Sequence, residues 1–138
     1  MPMVRLVYFS RATRPMSMQD IQNILNVARS NNDNQGICGM LGYERNCFLQ
    51  VLEGERNSVN ELYLQIADDP RHDGVEIISY EYINAPEFGN WQMGFVAASD
   101  TFYTLLNEVG VSGFDPALFS PEQALGFLQR LSRLNQPD

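Results

Sequence analysis
The apolar-rich run "MVRLVYFS" (3–10) reads as a strand, with Val4, Leu6, Tyr8 and Ser10 on one face. The period then changes. Ser17-Met-Gln-Asp20 has the form of a capping box. The helix it opens carries Met18, Ile21, Ile24, Leu25 and Ala28 on one stripe and is expected to end near Asn31–Asn34. Gly36 leads into a strand at about 37–43, and a second strand follows at 47–53 after a short turn. A second capping box, Ser58-Val-Asn-Glu61, announces a helix with the stripe Val59, Leu62, Tyr63 and Ile66, stopped at Asp69-Pro70. Strands are expected again at 75–83 and in "WQMGFVAA", with "NAPEFGN" as the loop between them. Two helices follow, one over about 100–109 and one announced by Ser120-Pro121, with Ala124, Phe127, Leu128 and Leu131 apolar.

Through residue 83 the order is βαββαβ, the ferredoxin-like arrangement of an α+β fold. Its first and third strands lie side by side at the sheet centre, and both core helices cover one face. The fifth strand and the two C-terminal helices are additions. They either cover the other face or present a surface to a partner. The division expected is a core over 1–98 and a helical extension over 99–138.

Within this frame "CFLQVLEGE" (47–55) carries one discordant residue. Phe48, Leu49, Val51 and Leu52 suit a strand covered on both faces, whereas Gln50 is a primary amide that must find partners or cost about 1–3 kcal/mol. Tyr8 on the adjacent strand shares its face. The first helix stripe runs through Ile24 and Ala28 to Asn31 and Asn32, and the second through Ile66 to Asp69. These positions outline a slot with aliphatic walls, a phenol and an amide on its floor, and amides and an acid at its rim. Such a slot suits a flat, mostly apolar ring with polar edges, a description the isoalloxazine of a flavin meets. Taken one at a time, each residue has an ordinary alternative. Gln50 can be satisfied by backbone, Tyr8 can be core, Asn31 and Asn32 can cap a helix, and Asp69 can close a turn. Trp91 and Met93 can be packing. Only their convergence points to a ligand.

Composition narrows the partners. The formal net charge is −8, and all nine basic residues are Arg, with no Lys. That field disfavours nucleic acid and anionic membranes. No apolar stretch approaches the about 20 residues of a membrane span, and no signal peptide precedes the first strand, so a cytoplasmic protein is expected. Cys38 and Cys47 flank the hairpin. With its turn at Glu44–Asn46, Cys47 would lie opposite Tyr43 and Cys38 opposite Leu52, so the two are expected to be unpaired thiols. With His72 as the one histidine, no metal-ligand spacing is present.

In chain order, "VRLVYFS", "ARSNNDNQGICGMLGY", "FLQVLEGE", "DDPRHD" and "FGNWQMGF" resemble the BLUF family of bacterial blue-light sensors using flavin, over about residues 3–98. The resemblance implies a noncovalent flavin between the two core helices, FAD with FMN or riboflavin as alternatives. It implies Tyr8 as electron donor, with Gln50 between its hydroxyl and the flavin N5/C4=O edge. Asn32 is implied at the N3/C4=O edge with Asn31 beside it, Ile24 and Ile66 on the ring, and Asp69 and Arg71 towards its C2 side. Trp91 and Met93 belong to the strand that relays the signal. Ala28 departs from the family, standing where a hydroxyl is often found. The function implied is a blue-light photoreceptor with no catalytic output of its own, signalling through a homo-oligomer interface or a downstream protein partner. The rivals are a flavin-dependent oxidoreductase, against which stands the lack of a nicotinamide-binding glycine fingerprint, and a chromophore-free ferredoxin-like interaction module.

Overall fold
The computed structural model describes residues 2–89 and 93–134, with the side chains at 27, 31–35 and 97 outside the description. The elements in order are β1 (Met3–Ala12), α1 (Met18–Gln35), β2 (Cys38–Glu44), β3 (Cys47–Glu55), α2 (Arg56–Asp68), β4 (His72–Ile83), β5 (Gly94–Ala97), α3 (Asp100–Glu108) and α4 (Pro121–Leu134), with a 3-10 turn at Pro116–Leu118. The five strands form one sheet in the order β4-β1-β3-β2-β5. The first four make the ferredoxin-like arrangement, all pairs antiparallel, and β5 extends the sheet parallel to β2.

Strand alternation divides the core in two. Val4, Leu6, Tyr8, Phe48 and Leu52 face α1 and α2, where Ile21, Leu25, Val59 and Leu62 meet them. Val7, Phe9, Leu49 and Val51 face the other way and are covered by Phe102, Leu105 and Leu106 of α3 and by Ala124, Phe127, Leu128 and Leu131 of α4. The α4 stripe is completely buried, and each of its large side chains contributes about 1.5–3 kcal/mol through burial. The C-terminal helices therefore form the second layer over the sheet. Both central strands are enclosed, as their largely apolar sequences require.

Local chemistry explains the helix starts. Ser17 and Asp20 close a reciprocal capping box: the Ser17 N–H donates to Asp20 Oδ2 and the Asp20 N–H to Ser17 Oγ, both at 3.1 Å. Ser120 and Gln123 do the same for α4. The expected box at Ser58–Glu61 does not form. The second helix begins at Arg56, with Glu55 as its N-cap and no side-chain cap, so Ser58 is already inside the first turn. The Arg56 N–H instead donates to the Pro2 carbonyl at 3.1 Å.

The hairpin register also differs from expectation by one residue. Arg45 and Asn46 have φ of 49° and 66°, which makes a two-residue turn, so Glu44 pairs with Cys47 and Cys38 with Glu53. Asn46 was the cue, since Asn tolerates the left-handed region that such a turn demands. The two cysteines are free, as expected. The fourth strand starts at His72, three residues earlier than its pattern indicated, because the bulged pairing with β1 reaches back to Ala12.

Gly39 sits where two backbones come close. A Cβ there would run into the Val51 carbonyl oxygen and come within 3.2 Å of Met93 Cε. Gly39→Ala is accordingly expected to lower stability by about 1–3 kcal/mol through forced separation of β2 from β3. Denaturant melts of the variant against the parent measure this.

Candidate functional site: a slot between the two core helices
Tyr8 and Gln50 are direct cross-strand partners on β1 and β3, so their side chains rise side by side on the α1/α2 face. The Tyr8 hydroxyl donates to Gln50 Oε1. Gln50 Nε2 donates in turn to Met93 Sδ at 3.1 Å. Tyr8 is 1%, Gln50 7% and Met93 2% exposed, so the chain phenol–amide–thioether lies almost wholly out of water. Desolvation pushes the Tyr8 phenol far above its ordinary range, with Tyr63 adding to the rise. The Tyr63 ring stands edge-on to it at 5.5 Å between centroids.

Above this floor opens a cleft of about 690 Å³, mouth included. Its walls come from Ile24 and Ala28 of α1, Leu62 and Ile66 of α2, and Leu41 and Phe48 of the sheet. At its rim Asp69, the C-cap of α2, holds Arg71 by a fork of bonds: Arg71 Nη2 donates to Oδ2 at 2.7 Å and the Arg71 backbone N–H to Oδ1 at 2.8 Å. Hydrogen bonding from Arg71 keeps the Asp69 carboxyl below the usual carboxylate range. The structure thus brings together Tyr8, Ile24, Gln50, Ile66, Asp69, Arg71 and Met93 on one cleft. Asn31 and Asn32 lie in the last turns of α1, but their side chains are outside the described residues, and so is Trp91 entirely.

Three further contributors were not singled out from the sequence. Leu41 pairs with Gln50 on the neighbouring strand and lines the cleft beside it. Arg29 Nε donates to the Met93 carbonyl at 3.0 Å, tying α1 to the chain just before β5. His72 lines the cleft with Nδ1 at 2.9 Å from Ser10 Oγ and its ring 5.0 Å from that of Phe48. Its signal was its position in "DDPRHD", directly after Arg71. Weighed only as a metal ligand, it went unnoticed as a pocket residue. Among the described residues no cluster of metal-binding side chains occurs.

Burial lowers the His72 pKa below its reference of 6.5, outweighing the attraction of Asp69, with Arg71 adding to the fall. The unfolded chain therefore binds a proton at pH values where the folded one does not. This contribution to stability is complete above about pH 6.5 and is lost as pH falls below it. Melting temperature is expected to drop between pH 7.5 and 5.5, and His72→Gln to flatten that slope. An unchanged slope in the variant would contradict the assignment.

The donor set fits a flavin. Gln50 Nε2 has two N–H groups, and a thioether is a weak acceptor, so the amide retains capacity for a ring edge placed beside it. Aliphatic walls on two helices suit the faces of a flat ring, and polar groups stand at the floor and the rim. In class, this is a small α+β domain with an aliphatic cleft above a buried chain of phenol, amide and thioether.

Residues 3–94 match the family described as BLUF, sensors of blue-light using FAD. The chain belongs to that family. The photoactivated adenylate cyclase subunit beta of Euglena gracilis is 44% identical over 73 residues, 53% of this chain. The chain spans less than a tenth of that relative, the match covering 8% of it. Among solved structures, BlsA in its photo-activated state superposes with a TM-score of 0.88 at 33% identity, covering 99% of both chains. A bacterial light-regulated adenylyl cyclase superposes with a TM-score of 0.71 at 34% identity over 78% of this chain and 34% of that one. What the chain shares with the cyclases is therefore a minor part of them. The superposition with BlsA extends over nearly the whole chain, the two C-terminal helices included.

Proposed function
We propose that this protein senses blue light with FAD seated between α1 and α2, that residues 1–98 are the sensor, and that residues 99–138 carry the state of the pocket to a second protein or a second copy of the chain. The observation that carries the reading is the buried relay from Tyr8 through Gln50 to Met93 at the floor of an aliphatic cleft. Ile24 and Ile66 would hold the faces of the ring, and Asn31, Asn32, Asp69 and Arg71 would supply hydrogen bonds to its polar edges. Trp91 and Met93 relay the change.

Excited by blue light, a bound flavin supplies a strong oxidant. Tyr8 is the electron donor. Its burial makes loss of a proton to water unfavourable, so the phenolic proton leaves along the existing hydrogen bond towards Gln50 as the electron goes. Gln50 has two chemically distinct ends, so once charge returns it would be left rotated or tautomerised, with an N–H free to donate to the edge of a bound ring. A hydrogen bond exchanged in a dry slot is worth on the order of 1 kcal/mol. That biases a segment with two nearly balanced positions without unfolding the domain. Met93 is the first group to register it, because the Gln50 amide is its partner in the structure described.

The test is to purify the protein in darkness, identify the released flavin, and record the visible spectrum before and after a blue pulse with NADH present. A reversible small red shift without NADH turnover supports the sensor. Bleaching to reduced flavin with turnover would replace it by an oxidoreductase, and a protein that stays colourless with excess flavin would remove the pocket altogether.

A further inference from the structure
Glu53 lies three residues beyond Gln50 on β3 and so points to the opposite side of the sheet. It is fully buried, a placement that a carboxylate tolerates only when paired and hydrogen-bonded. Oε2 accepts from Arg5 Nε at 2.8 Å. Oε1 accepts the backbone N–H groups of Glu87 at 2.9 Å and of Phe88 at 2.8 Å, and Cys38 Sγ stands 3.5 Å away. Half of this carboxylate is therefore committed to two successive amides of the loop between β4 and β5. A plain buried ion pair has no need of that arrangement, since apolar residues often replace such a pair without loss.

The same two loop residues are fixed elsewhere. The Glu87 side chain accepts from Gln129 Nε2 of α4 at 2.8 Å and lies 3.5 Å from Arg5 Nη2. Phe88 is completely buried in the cluster that holds Phe102 of α3 and Phe127 and Leu128 of α4. Five residues past Phe88 comes Met93, the partner of Gln50. One stretch of chain thus has its far end on the switch and its near end fastened to β3, to the second core and to α4.

We infer that Glu53 is a positioning residue of the switch: by clamping residues 87 and 88 it makes a displacement of Met93 arrive at α4 instead of being absorbed in the loop. The inference rests on the photoswitch proposed above. A lever needs a fixed point, and two charge-assisted hydrogen bonds to consecutive amides provide one. Gln129 is the polar contact through which α4 receives the motion, alongside the packing of Phe88, and its tie to Glu87 can be cut without touching the pocket.

The test is amide hydrogen exchange on the flavin-loaded protein, dark and illuminated, for the parent, Glu53→Gln and Glu87→Ala. In darkness Glu53→Gln is expected to speed exchange at residues 87 and 88 by about tenfold or more, as loss of a charged acceptor implies. Under light it should keep the red shift but lose the change in α4 exchange seen in the parent. If Glu53→Gln fails to fold because Arg5 loses its one fully buried carboxylate partner, Glu87→Ala decides, since Glu87 is exposed and the carboxylate clamp on the backbone survives. It should retain the red shift with the α4 response reduced by about threefold or more, the scale of one hydrogen bond. A parent-sized α4 response in either variant, or no α4 response in an illuminated parent that does red-shift, overturns the inference. A parent without any red shift would instead sink the photoswitch, while its dark exchange at 87 and 88 still reads the clamp.

Discussion
Gln50→Leu is expected to yield a protein that still binds flavin and still absorbs blue light, yet forms no red-shifted state. Leucine matches the amide in bulk, and the aliphatic walls that hold a ring, from Ile24, Leu41, Leu62 and Ile66, are untouched. What disappears is the one group that accepts from Tyr8 and donates to Met93. The cost in stability is modest. The variant no longer buries an amide; the Tyr8 hydroxyl loses its acceptor, at about 1–3 kcal/mol, and the Met93 thioether, a weak acceptor, loses its donor. The effect on the light response is all or none, because no other described side chain bridges the phenol to the β5 end of the cleft. A difference spectrum after a blue pulse measures it. A red shift of parental size in the variant would show that Gln50 is scaffold.

Tyr8→Phe removes the donor in place of the switch and makes a separable prediction. The ring and its edge-on contact with Tyr63 remain, so packing is kept, while Gln50 Oε1 loses its hydrogen bond at a cost of about 1–3 kcal/mol. The yield of the red-shifted state is expected to fall by at least about an order of magnitude, since a phenylalanine ring holds its electrons far more tightly than a phenol and has no proton to pass on. Lifetime of the excited flavin should lengthen in step, which fluorescence decay detects. Gln50→Leu leaves the phenol in place as a donor, so its fluorescence stays short while its red shift is gone. Opposite fluorescence behaviour with the same loss of signal distinguishes donor from switch. A Tyr8→Phe protein with parental yield would remove Tyr8 from the electron path.

Much of this was legible from the sequence because two periods carry it. The two-residue side-chain period of a strand placed Tyr8 on the side of Val4 and Leu6, and the βαββαβ order put β1 beside β3, so the Tyr8–Gln50 encounter followed from topology. The helix stripes led to the cleft walls by the same reasoning. What escaped depends on contacts that have no period. Whether the C-terminal helices cover the sheet or wait for a partner could not be read from α4, since an apolar stripe looks alike in both cases. In the structure Phe127 and Leu131 bury against the β2–β3 side of the core. Likewise Glu53 reads in sequence as an ordinary strand-end acid, and His72 as a lone histidine. Their roles come from a loop and a bulged strand whose paths no local pattern specifies. The misjudged hairpin turn has the same origin. One residue of loop length moves every pairing on β2, and the cue lay in the backbone preference of Asn46 alone.

The central claim is that light changes the hydrogen bonding of Gln50 and not the covalent structure of the pocket. The most direct measurement is the light-minus-dark infrared difference spectrum of the flavin-loaded protein, taken alongside Gln50→Leu. The account predicts that the flavin C4=O stretch moves to lower frequency on illumination, because a new donor has reached it, returns in darkness, and does not move in the variant. A C4=O band that stays put in the parent, or that shifts equally without Gln50, would contradict it.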